Sequence, residues 1–326
     1  MHKARFYFPS VFQHLLVPNS YYRGKLQENL SLIPNGTLRA VADRVRSYNQ
    51  LSNAFILPGE CPTLRQLNCW EKSAYYYDLR SWLRYFPSDL RFHHRFGDIV
   101  DVPPIPSFVK CRPLGQDSNN SVLLKLNSVR HYRAIKDARP FNEKIPRLVW
   151  RGQVHRPWRQ NLVAQYWEHP SCDIGQVNEP SGGLPHGVQK KRMSIDEQLR
   201  YKFILSVEGN DIATNLKWIA QSNSLCFMPR PKFESWFLEN DLEPGVHYVQ
   251  IQDDFSDIPE KVDHYTANPD QARQIIHNLQ QHYRTITEPG IDLATSLLTL
   301  AKYFHFSGQL GLETLPEAVH PCIING

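Results

Sequence analysis

Two short turns carry the residues best suited to holding an anion. "WRGQ" at 150–153 and "EGNDIAT" at 208–214 each follow an apolar run and precede a helix-like run. Backbone amides at the start of such helices can accept phosphate oxygens. Arg151 would add a cation whose planar donors match those oxygens. Gly209 allows a sharp bend and a close approach to a ligand. Thr214, Asn215 and Lys217 fall in the first turns of the following helix, where hydroxyl, amide and ammonium could meet a diphosphate. Plain structural roles are open to the same residues: Arg151 as the partner of an acid, Asn210 and Asp211 as ordinary turn formers. Upstream, Asp98 and Asp101 in "FGDIVDVPP" precede a proline-rich loop. A carboxylate there can serve as general base on a hydroxyl, or simply cap a turn.

Other chemistries are disfavoured by what the sequence lacks. There is no G-x-G-x-x-G, G-x-x-x-x-G-K-[ST], G-x-S-x-G or H-E-x-x-H, so dinucleotide, P-loop, hydrolase-elbow and zinc-protease readings fall away. Adjacent His93 and His94 point to opposite faces of a strand and make a poor metal pair. No D-x-D occurs to hold a metal on a sugar-nucleotide diphosphate; "QDDFSD" comes nearest and reads better as a helix cap. Six scattered cysteines without C-x-x-C spacing favour a reducing compartment over a disulfide or zinc framework. No bound metal is expected.

Lysine and arginine exceed the acids by five, too small an excess for nucleic acid but compatible with a phosphate-bearing ligand or an anionic membrane face. Neither a signal peptide nor a spanning run is visible, so the expectation is a soluble cytoplasmic protein, compatible with peripheral membrane association.

The elements that must position these residues show most clearly in the second half. From Arg147 onward, strand-like "RLVWRG", "FILSVEG", "SLCFMP" and "HYVQI" alternate with helix-like "RPWRQNLVAQYWE", "ATNLKWIAQS", "FESWFLEND" and "DIPEKVDHYTA". That alternation predicts a parallel sheet covered on both faces, with a domain boundary near residue 145. Pro157 suits a first helical turn, and Ser194 with Glu197 has capping-box spacing. In "NPDQARQIIHNLQQHYRTI", Ala272, Ile275, Ile276 and Leu279 line one helical face. The N-terminal half is less regular. "TLRAVADRVRSYNQL" and "YYYDLRSWLRYF" read as helices, "SVLLKLN" as a strand, and a second α/β unit fits there. An α/β protein of two domains, 1–145 and 146–326, facing a central cleft is expected, with the apolar last helix packing between them.

The blocks "FGDIVDVPPIPSFVKCRP", "LVWRGQ" and "YKFILSVEGNDIATNLKWIAQSNSLCFMPRPKFESWF…HYVQIQDDFSDI", in that order, resemble the CAP10-like glycosyltransferases, family 90. That family includes bacterial lipopolysaccharide core enzymes and eukaryotic protein O-glucosyltransferases. The resemblance covers roughly residues 90–285. It implies a GT-B architecture of two Rossmann-like domains, a UDP-sugar held mainly by the C-terminal domain, and inverting, metal-independent transfer. Arg151 and Gly152 fall on the family's Arg-Gly element, and Glu208 and Gly209 on its acidic-Gly turn. Glu234 falls on a glutamate proposed to contact ribose or uracil. Asn215 stands where eukaryotic relatives place an arginine, so Lys217 or backbone amides would supply that charge. The catalytic aspartate falls on Asp98, with Asp101 the alternative. The resemblance thus implies transfer of a hexose, glucose or galactose, to a lipopolysaccharide core oligosaccharide. A protein O-glucosyltransferase and a non-catalytic binding protein of the same fold are the competing expectations.

Overall fold

A computed structural model of the chain describes residues 7, 17–67, 72–180 and 183–324. Helices α1 (Asn19–Ser31), α2 (Leu38–Tyr48) and α3 (Ser73–Leu83) precede four short strands. These are β1 (His94–Arg95), β2 (Ser107–Val109), β3 (Cys111–Pro113) and β4 (Ser121–Leu123). Next come β5 (Ile145–Gly152), α4 (Pro157–Tyr166), β6 (Cys172–Gln176) and β7 (Tyr201–Leu205). The strands β8 (Leu225–Met228), β9 (Phe233–Ser235) and β10 (Val249–Gln250) follow. Then α5 (Ile258–Ala267), α6 (Pro269–Thr287) and α7 (Pro289–Phe306) run almost end to end. Among the described residues no helix is long and apolar enough to cross a membrane.

Chain contacts divide the protein into two compact units. The first takes residues 1–130, 232–238 and 286–326; the second takes 131–231 and 239–285.

In the first unit, β1, β2 and β4 form a three-stranded parallel sheet. The α2 pattern that predicted a helix buries Val41, Val45 and Tyr48, and α7 packs on α1, α2 and α3. Strand β3 instead pairs antiparallel with β9, placing Arg112 opposite Glu234. The helix expected over 233–241 is instead the short strand β9 followed by turns. Tertiary contacts override that local preference: Trp236 stacks on Tyr48 with ring centroids 3.8 Å apart, and its indole Nε1 donates to Asp292 Oδ1 at 2.7 Å.

In the second unit, five parallel strands lie in the order β10-β8-β7-β5-β6. The α/β class expected from the alternating pattern holds here. Leu148, Phe203, Leu205 and Phe227 of the sheet share a core with Leu162 and Val163 of α4, Val262 of α5, and Ala272, Ile275 and Ile276 of α6. Pro157 sits in the first turn of α4, and Ser194 with Glu197 makes a complete capping box. The helix expected over 213–222 shrinks to one turn, Leu216–Ile219.

The strand order matters for function. After β5 the chain goes to β6 on one side, then returns past β5 to β7 on the other. The sheet's topological switch point is therefore between β5 and β7, and ligands of open parallel sheets bind beyond the carboxyl ends of such strands.

Candidate active site

The two turns singled out in the sequence are the carboxyl-terminal turns of the two switch-point strands. Parallel pairing of β5 with β7, Val149 opposite Ile204, brings their ends side by side. Three residues at the start of α4 then stitch the turns together. The Arg159 guanidinium donates to the backbone carbonyls of Gln153 at 2.9 Å, Val207 at 2.7 Å and Glu208 at 3.1 Å. Trp158 Nε1 also donates to Glu208 O, at 3.1 Å. Arg156 donates twice to Asn210 Oδ1, at 2.9 and 2.6 Å. Burial lowers Arg159 to a pKa of about 10, which leaves it a cation at neutral pH.

Both glycines are explained by neighbours within this fold. A Cβ on Gly152 would lie 2.4 Å from the Trp150 ring, and one on Gly209 would lie 3.2 Å from Arg159 Nη2. The same guanidinium lies 5.4 Å from the Trp150 ring centroid. A side chain at 209 would therefore press on the Arg159 guanidinium, which holds the turn in place.

In the first unit, β1 and β2 run parallel with Arg95 opposite Val109, so the segments after them emerge at one edge. Asp98 follows β1, and Lys110 immediately follows β2. The Lys110 ammonium donates to Asp98 Oδ1 at 3.1 Å. Asp101 is gripped by the Arg95 fork, with bonds of 2.7 and 3.1 Å to its two oxygens. Those bonds hold its carboxyl below the usual carboxylate range. His93 Nδ1 is hydrogen-bonded to Ser107 Oγ at 2.6 Å, while burial drops the pKa of His94 to about 4. Among the described residues, no cluster of three or more His, Cys, Asp or Glu side chains converges as a metal site.

Residues 124–288 match the profile described as Glycosyl transferase family 90. The chain is 42% identical over 93% of its length to "O-glucosyltransferase LpsA" of Dichelobacter nodosus, covering 95% of that protein. The chain belongs to glycosyl transferase family 90. It is also 30% identical over 44% of its length to "Protein O-glucosyltransferase 2" of Danio rerio, of which it covers 30%. Against "Protein O-glucosyltransferase 3" of Homo sapiens it is 28% identical over 53% of its length, covering 36% of that protein. It therefore spans nearly all of the bacterial relative and about a third of the animal ones.

This family 90 glycosyltransferase distributes its expected site residues unevenly. Arg151 lies in β5, and its side chain turns to β6, where Nη2 bonds Asp173 Oδ1 at 2.7 Å. Against the opposing push of burial, hydrogen bonds from Tyr201 and Arg151 bring the Asp173 pKa down to about 2. Lys217 is fully buried against Glu239. Asn215 holds the end of β7: its Nδ2 donates to Leu205 O at 2.8 Å, and its Oδ1 accepts from Ser206 at 3.2 Å. Glu234 sits in the first unit, buried against Arg112 at 2.6 Å. Gly152, Glu208, Gly209 and Thr214 do lie at the paired turns. The half-buried Thr214 hydroxyl makes no hydrogen bond to other described residues.

The glycosyltransferase's stitching residues were not legible from motif reading. Arg156, Trp158 and Arg159 lie in the run "RPWRQNLVAQYWE", whose sequence reads only as a helix with Pro157 in its first turn. The available signal was positional, since they open the helix that directly follows a strand ending at Gly152. Lys110 was equally silent, because its partner Asp98 is twelve residues away on another strand's end.

Proposed function

We propose that this glycosyltransferase moves a hexose, glucose or galactose, from a UDP-sugar to a lipopolysaccharide core oligosaccharide, in one inverting displacement. The observation that carries the reading is the pair of turns at the β5/β7 switch point, stitched by Arg159 and flanked by Arg156 and the first turn of α4. Backbone amides and guanidinium groups there suit a diphosphate. Cationic side chains take the place of a metal in this reading, in keeping with the lack of a D-x-D sequence. Thr214, Glu208 and Gly209 are the expected donor contacts. Asn215 ties down the end of β7, while Arg151 and Lys217 are engaged by Asp173 and Glu239 and contribute indirectly in this reading.

In the displacement, the acceptor hydroxyl attacks the anomeric carbon while its proton passes to the Asp98 carboxylate. The bond from that carbon to the diphosphate oxygen breaks, and its electron pair leaves with the nucleotide. Asp98 is preferred over Asp101 because Arg95 engages both Asp101 oxygens. Charge growing on the leaving diphosphate is stabilised by the preorganised donors of the second unit. The GT-B division of labour, with donor held by the second unit and acceptor chemistry by the first, is part of the proposal. So is action at the inner face of a bacterial inner membrane.

The relative named an O-glucosyltransferase, matched over nearly its whole length, favours glucose, and the resemblance carried by the three sequence blocks favours a lipopolysaccharide acceptor. The matches to animal protein O-glucosyltransferases favour a second reading, in which the acceptor is a protein side chain. A panel of nucleotide sugars, assayed separately with truncated core oligosaccharide and with an acceptor protein domain and read by mass spectrometry, tests both. A one-hexose mass gain on the oligosaccharide supports the first reading. Donor binding with neither transfer nor hydrolysis indicates a non-catalytic binding protein.

A further inference from the structure

We propose that Lys110 is a positioning residue that fixes the orientation of the Asp98 carboxylate for proton abstraction. The inference rests on the reading above that Asp98 is the base. It goes further by assigning a role to a residue that never contacts the reacting atoms.

Strands β1 and β2 are hydrogen-bonded neighbours. Because the two strands run parallel, the segment carrying Asp98 and the residue after β2 emerge together. The Lys110 side chain is only 4% exposed, whereas that of Asp98 is 42% exposed. A buried ammonium thus reaches outward to hold a carboxylate that water and an acceptor can reach. Two exposed partners would be mobile, and their pairing would contribute little. Here the lysine is already immobilised by burial, so holding the carboxylate costs less rotamer entropy. Arg95 and Asp101 form the contrasting pair, with side chains 33% and 59% exposed. Lys110 exchanges no proton with the substrate in this reading; its part in the reaction is to orient the Asp98 carboxylate. Misplacing a reacting group by about 1 Å costs up to about 10²-fold in rate.

The test uses the full chain with UDP-glucose, or whichever hexose donor the panel selects, and truncated core oligosaccharide. Lys110→Met should lower kcat by about 10- to 100-fold, leaving the donor KM and the melting temperature near wild type. Lys110→Arg, which keeps the charge, should recover most of the rate. In an Asp98→Asn background, Lys110→Met should bring no further loss, because the two residues act through one step. A Lys110→Met rate within twofold of wild type, while Asp98→Asn loses about 10²-fold or more, overturns this inference alone. So does an equal loss in the Asp98→Asn background, or a Lys110→Met chain that unfolds at the assay temperature. Near-normal turnover by Asp98→Asn overturns the base assignment itself, and this inference with it.

Discussion

The Arg151 guanidinium is bonded to the Asp173 carboxylate at 2.7 Å, across the neighbouring strands β5 and β6. The spacing left Arg151 open between a phosphate contact and a partner for an acid, and the resemblance implied the phosphate; the pairing makes it a cross-strand tie. Arg151→Ala should destabilise the second unit by about 2 kcal/mol, the scale of a lost charge-assisted bond. Nucleotide affinity, measured by calorimetry well below the melting temperature, should stay within about threefold of wild type, given that surrounding contacts persist. A large loss of affinity in a stably folded variant would return Arg151 to the donor site.

Arg159 should behave in the opposite way. Its three carbonyl partners lie on both switch-point turns, and a lysine ammonium cannot reproduce that fork. Arg159→Lys and Arg159→Ala should each weaken UDP binding by about tenfold or more, about 1.4 kcal/mol. Hydrogen exchange at 206–211 should quicken in both. Unchanged exchange and affinity would show that the stitch is dispensable.

The two loop aspartates should separate kinetically. Asp98→Asn is expected to lose about 10²- to 10⁴-fold in transfer rate while still binding donor. Asp101→Asn removes an exposed ion pair with Arg95, which solvent screening leaves with little net worth, and should transfer at near the wild-type rate. The reverse pattern in steady-state kinetics would move the base to Asp101.

A pH dependence follows from Asp78, a buried residue of α3. Its carboxylate accepts from the Ser128 amide and hydroxyl, both at 2.7 Å. Burial outweighs those bonds and raises its pKa to about 7, against about 3.9 in an unfolded chain. The folded state therefore favours the protonated form. The resulting stabilisation is fully present below about pH 4 and is lost as pH rises toward 7. Asp78→Asn, which keeps an acceptor oxygen but cannot ionise, should flatten that part of the stability profile. Chemical denaturation at several pH values between 4 and 8 checks this, and an unchanged slope would count against the assignment.

Much of the second unit could be read without coordinates, because local signals encode it. Apolar runs ended by Gly152 and by the Glu208-Gly209 turn, Pro157 in a first turn, and the Ser194–Glu197 capping box depend on neighbours a few residues away. The stripe Ala272, Ile275 and Ile276 announced a helix for the same reason, since its period is local. The resemblance to family 90 rested on the order of the three blocks, and the family-wide match bears it out.

Partner choice was not local. The destination of the Arg151 charge depends on which strand lies beside β5, and Asp173 is twenty-two residues away. Glu234 was read as part of a helix, yet it is a strand residue opposite Arg112, one hundred and twenty-two positions earlier. Lys217 was expected at a diphosphate and is instead buried against Glu239. Sequence alone determined that two turns would stand at strand ends and that arginines would be near them. Only the strand order, by putting β5 beside β7, decided that the turns are neighbours and that Arg159 rather than Arg151 joins them. The physical reason is that side-chain periodicity belongs to a single segment, whereas charge pairing is settled by register between segments distant in the chain.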